Sequence, residues 1–197
     1  LAPALSIVPV EYVALTDVFD AIILTSKHAL HAAAKIIPRV PVLCVGDTTA
    51  QMARALGLEA VSAAGNAKDL IALVQASGVL RVLYLRGAHV QTDMELDLNL
   101  AGIETKSLVV YRQNPCDFSP EVQQSLLAIT DLVVPVYSAR SAHVLSKNLT
   151  GFVGKISLVA ISQAAASGWS GPKLHHISYA EAPNSEAMMD AIASQLA

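Results

Sequence analysis

The sequence predicts an α/β protein made of two parallel-sheet lobes, and three observations predict it. Short apolar runs rich in β-branched residues alternate with longer segments of helical period along the whole chain. The composition is 53% apolar and only 15% charged, with a mean hydropathy of +0.49, which suits strands buried on both faces between alanine-rich helices. The later part of the chain also echoes the earlier part. At about 150 residues per domain, 197 residues is more than one small domain needs and less than two ordinary ones.

Strands are expected, in order, at 7–13, 21–24, 42–45, 60–62, 80–85, 107–111, 132–137, 156–161 and 175–178. Most are continuous apolar runs without strict alternation, the pattern of parallel strands covered on two sides. Helices are expected at 26–37, 47–56, 66–77, 89–101, 119–128, 139–148, 162–167 and 184–196. Ser26, Asp47, Asn66, Ser119, Ser138 and Asn184 stand at helix starts, where a short polar side chain can accept a first-turn N–H. Gly57 and Gly102 follow two helices, where the chain commonly turns left-handed.

The echo sets the domain organisation. Asp20 to Ser26 resembles Asp131 to Ser138, each a strand opening on Asp and ending on a serine that starts a helix. Leu43 to Gly46 parallels Leu158 to Ser162, and Asn66 to Leu70 parallels Asn184 to Met188. The offsets of 112, 116 and 118 drift by small loop insertions while the order is kept. Two extended stretches lie outside the echo, Ile7 to Val13 and Leu108 to Pro115. Paired antiparallel, they make a two-stranded connector: residues 1–14 and 109–113 as connector, 15–108 as one complete lobe, 114–197 as the other. Two lobes so joined form a cleft, where small ligands most often bind.

Several functions are excluded at this level. No apolar run reaches the roughly 18–20 residues a membrane helix needs, and Pro135 interrupts the run from Leu132 to Tyr137. The net charge is −3 and neither lobe is basic, so no nucleic-acid partner is expected. Cys44 and Cys116 carry no metal or disulfide spacing, which fits a reduced, cytoplasmic setting. No signal peptide is seen, and the chain opens on Leu1-Ala2-Pro3 without an initiator Met, as a piece of something longer would. Dinucleotide and P-loop glycine signatures, the nucleophile elbow and the HExxH zinc motif are all missing. His28 and His31 share a helix face without a second ligand pair, and His175 and His176 point to opposite sides of a strand; no metal is expected. Nothing signals an oligomer, so monomer is the default.

What recurs is a set of helix starts rich in Ser, Thr and Gly at strand ends: Thr25-Ser26, Gly46 to Thr49, Arg86-Gly87, Ser138 to Ser141, and Ser162-Gln163. In a parallel sheet all of these lie on the carboxyl edge, where ligands bind. Each alone is a helix cap. Together, their free N–H groups and positive dipole ends suit a small ligand with many carboxylates or phosphates.

The ordered set Leu24-Thr-Ser-Lys-His-Ala-Leu30, Val45-Gly-Asp-Thr-Thr-Ala50, Ala64-Gly-Asn-Ala-Lys-Asp-Leu70, Leu85-Arg-Gly87, Leu108-Val-Val-Tyr111 and Val136-Tyr-Ser-Ala139 resembles the uroporphyrinogen-III synthase family over nearly the whole chain. The resemblance implies two flavodoxin-like lobes on a two-stranded ladder, the second lobe lacking here the strand and helix with which the family begins. It implies a cofactor-free cyclisation of hydroxymethylbilane with inversion of ring D and loss of water. The ligand would be a polycarboxylate tetrapyrrole, with Ser26, Thr49, Gly87, Ser138 and Ser162 as contact candidates. Tyr111 aligns with the family's functional tyrosine and would serve the departing hydroxyl or the spiro intermediate; otherwise it is an ordinary connector aromatic. Two departures bear on the site. Ser162-Gln-Ala-Ala-Ala166 stands where the family carries Gly and two threonines, and Gln91-Thr92-Asp93 where a basic residue is common. A two-lobed sensor or solute-binding domain, or a degenerate synthase-like domain, are the competing readings.

Overall fold

The computed structural model describes residues 3–13, 15–36, 39–90 and 92–196. The chain separates into two compact units, Ile7–Gln113 and Leu1–Ser6 with Asn114–Ala197. It passes from one to the other inside two strands, β1 (Leu5–Pro9) and β6 (Glu104–Pro115).

In the unit of residues 7–113, β2 (Ala21–Leu24), β3 (Val42–Cys44), β4 (Ala60–Ser62) and β5 (Arg81–Gly87) join β6 in one parallel array. The order is β6-β5-β2-β3-β4, with β1 on the β6 edge. Val10 N–H donates to the Val110 carbonyl at 3.0 Å and Cys116 N–H to the Ala4 carbonyl at 2.9 Å, so β1 and β6 run antiparallel. The resemblance led us to expect a flavodoxin-like lobe, whose strands follow the order 2-1-3-4-5. The order found is instead 3-2-1-4-5, the other doubly wound arrangement, because the chain adds β3 and β4 on one side of β2 before crossing back to β5.

The inner strands β2, β3 and β5 are apolar on both faces because helices cover both. Ile22, Leu24, Val42, Cys44, Leu83 and Leu85 meet α1 (Leu30–Ala33) and α2 (Asp47–Ala55). Ala21, Ile23, Leu43, Val82 and Tyr84 meet α3 (Ala67–Ala76) and α4 (Met94–Leu100). A 3-10 turn, Lys27–Ala29, leads into α1, which is shorter than the helix expected from residue 26; Ile37, the last residue of that expectation, lies outside the described residues. Gly57 and Gly102 take φ values of 75° and 84°, as left-handed helix ends require.

The other unit carries α5 (Pro120–Leu126) and then three strands, β7 (Asp131–Val136), β8 (Lys155–Ala160) and β9 (His176–Tyr179), parallel and side by side in chain order. Leu132, Val134, Val136, Ile156, Leu158 and Ala160 form its core with α6 (Ala139–Asn148) and α7 (Gln163–Ala166). The last helix, α8 (Ser185–Leu196), packs on all three strands and fully buries only Met188. Pro135 sits on β7, at the sheet edge, where a missing N–H costs no ladder bond. His175 precedes β9, and both it and His176 are exposed. No helix among the described residues is long and apolar enough to cross a membrane.

Candidate functional site

In the 3-2-1-4-5 sheet the winding reverses between β2 and β5. Loops leaving the carboxyl ends of these neighbours go opposite ways and leave a crevice, the position at which open α/β sheets bind ligands. Register fixes what borders it. Leu24 pairs with Leu85 and with Cys44, so Thr25, Ser26, Gly46, Arg86 and Gly87 emerge on one edge.

Tyr111 reaches the same edge through an irregularity. Arg86 pairs with Val109 but Gly87 with Tyr111, so Val110 is an extra residue in β6. Strict alternation would send Val110 and Tyr111 to opposite faces. The bulge puts both into the core on the α1 side, and Tyr111 is only 7% exposed. There it lies on Gly87. A Cβ at residue 87 would stand 2.8 Å from the ring carbons and 3.0 Å from the phenol oxygen, so only glycine admits this approach. The His28 imidazole meets the same ring edge-on, with centroids 5.6 Å apart and planes at 60°. His28 is exposed at its outer side, yet partial loss of water and then the neighbouring Lys27 charge lower its pKa below its ordinary value, which favours the uncharged imidazole.

The predicted serine Ser26 caps the turn that carries His28: its Oγ accepts the His28 N–H at 3.3 Å. An accepting hydroxyl keeps its own proton to donate to a ligand. Asp47 is not the cap of α2 as expected. It is the first helical residue, and Gly46, extended at φ −132°, holds the cap position without a side chain. The first intrahelical bond runs from Ala50 N–H to the Gly46 carbonyl, which leaves the amides of Asp47, Thr48 and Thr49 without an intrahelical acceptor. Thr49, half-buried, lies in this first turn. Of the stretch Gln91-Thr92-Asp93, Gln91 lies outside the described residues, and Asp93 caps α4 by accepting the Leu96 N–H at 3.1 Å.

Three groups at this edge are not among the contact candidates of the sequence. The Tyr84 hydroxyl, on the opposite face of the sheet from Tyr111, lies 3.1 Å from Thr25 Oγ1. Burial, more than any charge, raises the Tyr84 pKa above its ordinary value, so the phenol stays a proton donor. Arg86, half-buried, donates from Nη1 to the Gly87 carbonyl at 3.1 Å and places a cation beside the crevice. His28 stands out in the sequence only as a metal-ligand candidate, and no group of three or more His, Cys, Asp or Glu among the described residues could hold an ion. Side-chain spacing does not reveal these contacts, since the partners are brought together by strand register.

The other unit has its own carboxyl edge with the two remaining candidates. Ser138 caps α6 in a reciprocal box: its Oγ accepts the Ser141 N–H at 3.1 Å, and Ser141 Oγ accepts the Ser138 N–H at 3.1 Å. Ser162 caps α7 through the Ala165 N–H at 3.2 Å. Val136 pairs with Ala160, so both serines leave the same edge of the sheet. Each unit thus presents hydroxyls and first-turn amides, a set suited to anionic groups.

The family model of uroporphyrinogen-III synthase HemD matches residues 1–190. Among solved structures, the uroporphyrinogen-III synthetase of Helicobacter pylori 26695 is similar at 18% identity and a TM-score of 0.69, over 98% of this chain and 91% of that one. The two therefore share their fold. The Thermus thermophilus uroporphyrinogen III synthase matches at 16% identity and a TM-score of 0.41, over 91% of this chain and 79% of that one. No curated protein sequence matches. The family match over residues 1–190 establishes that this chain belongs to the uroporphyrinogen-III synthases, the cyclising lyases of haem biosynthesis.

Proposed function

We propose that the chain cyclises hydroxymethylbilane with Tyr111 as its proton donor, the substrate carboxylates being held by Ser26, Thr49, Gly87, Ser138 and Ser162. The two units act as the two lobes of the family architecture, with β1 and β6 as the connector. The observation that carries the reading is the seating of the Tyr111 ring on Gly87 at the switch point of the sheet.

The chemistry asks little of the protein except position. The ring A hydroxymethyl carbon loses its hydroxyl, which takes a proton from the Tyr111 phenol and departs as water. The pyrrole nitrogen supplies the electron pair, leaving an electrophilic azafulvene. Ring D attacks this through its substituted carbon to give a spiro intermediate, which fragments and recloses with ring D inverted. The proton shed as the last pyrrole regains aromaticity returns to the phenolate. Water is lost and a carbon–carbon bond forms without net oxidation or reduction, so the sequence of steps calls for no electron carrier. Unassisted closure gives the uninverted type I isomer, so catalysis lies in folding a flexible tetrapyrrole to present the disfavoured carbon.

The hydroxyls and open amides at the helix starts support the grip on carboxylates. Each is an uncharged donor, which explains how a chain of net charge −3 can hold a polyanion. Free Cys44 and Cys116 support a reducing, cytoplasmic setting, and burial pushes the Cys44 thiol up to about 11, out of reach of oxidation as a thiolate. We take the working form to be a monomer, which sedimentation measures directly.

The test supplies hydroxymethylbilane and resolves type III from type I product. Type III is expected in excess. Type I alone, at the spontaneous rate, would overturn the reading. Tyr111→Phe is expected to lose at least roughly ten-fold in kcat, general acid–base help being worth roughly 100-fold or more, with an unchanged circular dichroism spectrum. Unaltered turnover in that variant would remove the phenol from the mechanism.

A further inference from the structure

We infer that His28 is a positioning residue for Tyr111, its imidazole acting as an aromatic wedge that holds the phenol aimed into the crevice. The inference rests on the role given to Tyr111 above. It is carried by three features of the unit of residues 7–113.

First, Tyr111 owes its direction to one irregularity: the extra residue Val110 breaks the alternation of β6 just before it and turns the ring to the α1 side, where His28 stands. Second, on Gly87 the ring meets a residue with no side chain, which admits the ring but gives it nothing to lock against. Third, His28 supplies a contact of defined geometry, edge to face at 5.6 Å and 60°, from an element that is itself anchored. Its backbone N–H is held by Ser26 Oγ, and the next residue, Ala29, is fully buried. Partial loss of water and the neighbouring Lys27 both favour the uncharged imidazole, so the wedge works by shape and ring polarity and not as a cation.

The expected consequence is a split between binding and turnover. His28 is not given a contact with the substrate, so its loss leaves KM in place. A misplacement of about 1 Å at a reacting group can cost roughly 100-fold in rate, so His28→Ala is expected to lose roughly 10- to 100-fold in kcat. Product should also leak toward type I, because a wandering phenol no longer times departure of the hydroxyl to the folded substrate.

The experiment measures kcat, KM and the type III to type I ratio for His28→Ala, His28→Phe and His28→Leu beside Tyr111→Phe. Phenylalanine keeps the aromatic edge and removes both ring nitrogens; leucine keeps similar bulk without the edge. Recovery of kcat and of type III product in His28→Phe, with His28→Leu impaired at unchanged KM, is the expected result. If His28→Phe is as poor as His28→Leu, the nitrogens matter and the wedge is overturned. If both match the unaltered chain, His28 has no such role and the inference is likewise overturned. The pair Phe and Leu decides the matter even where His28→Ala does not fold. Tyr111→Phe separates the two levels: full turnover there sinks the reading of Tyr111 itself, whereas a loss there with intact His28 variants sinks this inference alone.

Discussion

In the unit of residues 7–113, β2, β3 and β4 lie parallel and adjacent, with α1 and α2 on one face and α3 on the other. β7, β8 and β9 repeat that run, with α6 and α7 in the core of one face and α8 behind it. The helix-start positions correspond one by one: Ser26 with Ser138, Gly46 with Ser162, Asn66 with Asn184. Beyond this shared run the units diverge. The first goes on to β5, α4 and β6, which creates a reversal in strand order and a crevice; the second stops at three strands in simple succession. The repeated half therefore supplies capped helix starts, whereas the added strands of the first unit supply Gly87, Tyr84 and Tyr111. On the proposed reading the anion-binding groups are shared, and the chemical group belongs to one unit.

The strongest way to separate the units is through their cores. Leu158, fully buried in the second unit, and Leu24, fully buried in the first, should each cost about 2–5 kcal/mol on replacement by alanine. Trp169 is the single tryptophan and packs on the core that holds Leu158, so its fluorescence reports the second unit. Leu158→Ala is expected to move the fluorescence midpoint in urea, and Leu24→Ala the far-ultraviolet transition that fluorescence does not follow. Identical shifts by both probes in both variants would show that the two units unfold as one.

A smaller effect is expected at Asn66. It closes a reciprocal capping box with Asp69, the Asn66 N–H donating to the carboxylate at 2.7 Å and the Lys68 N–H to Asn66 Oδ1 at 2.8 Å. Asn66→Ala should destabilise the first unit by about 1 kcal/mol in urea denaturation. Its counterpart Asn184 accepts the Ala187 N–H at 2.9 Å, but alanine has no side-chain acceptor to return the bond, so replacing Asn184 should cost less.

The difference between Gly46 and Ser162 is testable through binding. Gly46→Ser would supply the hydroxyl cap that Ser162 already provides at α7 and so occupy an amide now open. KM should rise roughly two- to ten-fold, matching about 0.5–1.5 kcal/mol for a neutral hydrogen bond, with stability little changed. An unchanged KM would take the start of α2 out of the binding surface.

The smallest effect concerns acid. Asp20 Oδ2 accepts the N–H groups of Leu80 at 2.9 Å and Arg81 at 2.8 Å, and these two bonds hold its carboxyl below the ordinary value of 3.8. A depressed folded-state pKa contributes stability that is present above the unfolded value and lost as pH falls through the folded one. Asp20→Asn should therefore remove that small contribution near neutrality and flatten the acid limb of the first unit's stability below that value. A limb of unchanged steepness, read from urea midpoints against pH, would assign the acid sensitivity elsewhere.

Much of the molecule was legible from residues near one another in the chain. Apolar runs marked each strand to within a few residues, and Ser26, Asn66, Ser119, Ser138 and Asn184 marked helix starts, because a cap bonds within its own first turn. Asp47 misled for a physical reason: an acidic residue is favoured anywhere in a first turn by the dipole, and so it points to the neighbourhood of the start without fixing the cap. Similarly, the family resemblance pointed to Tyr111, but not to the bulge at Val110 that turns it toward His28.

The sequence by itself determined the α/β class, the echo, most of the helix starts and the family, all of which rest on periodicity, capping and ordered short motifs. The helix expected from residue 89 begins only at Met94. Only the tertiary structure decided the strand order, the switch point it creates, and the meeting of Thr25 with Tyr84 and of Tyr111 with Gly87 and His28. The reason is distance along the chain. Local patterns are enforced by neighbours a few residues away, whereas β2, β5 and β6 are aligned by hydrogen bonds between strands some 60 and 20 residues apart, whose register no local pattern encodes.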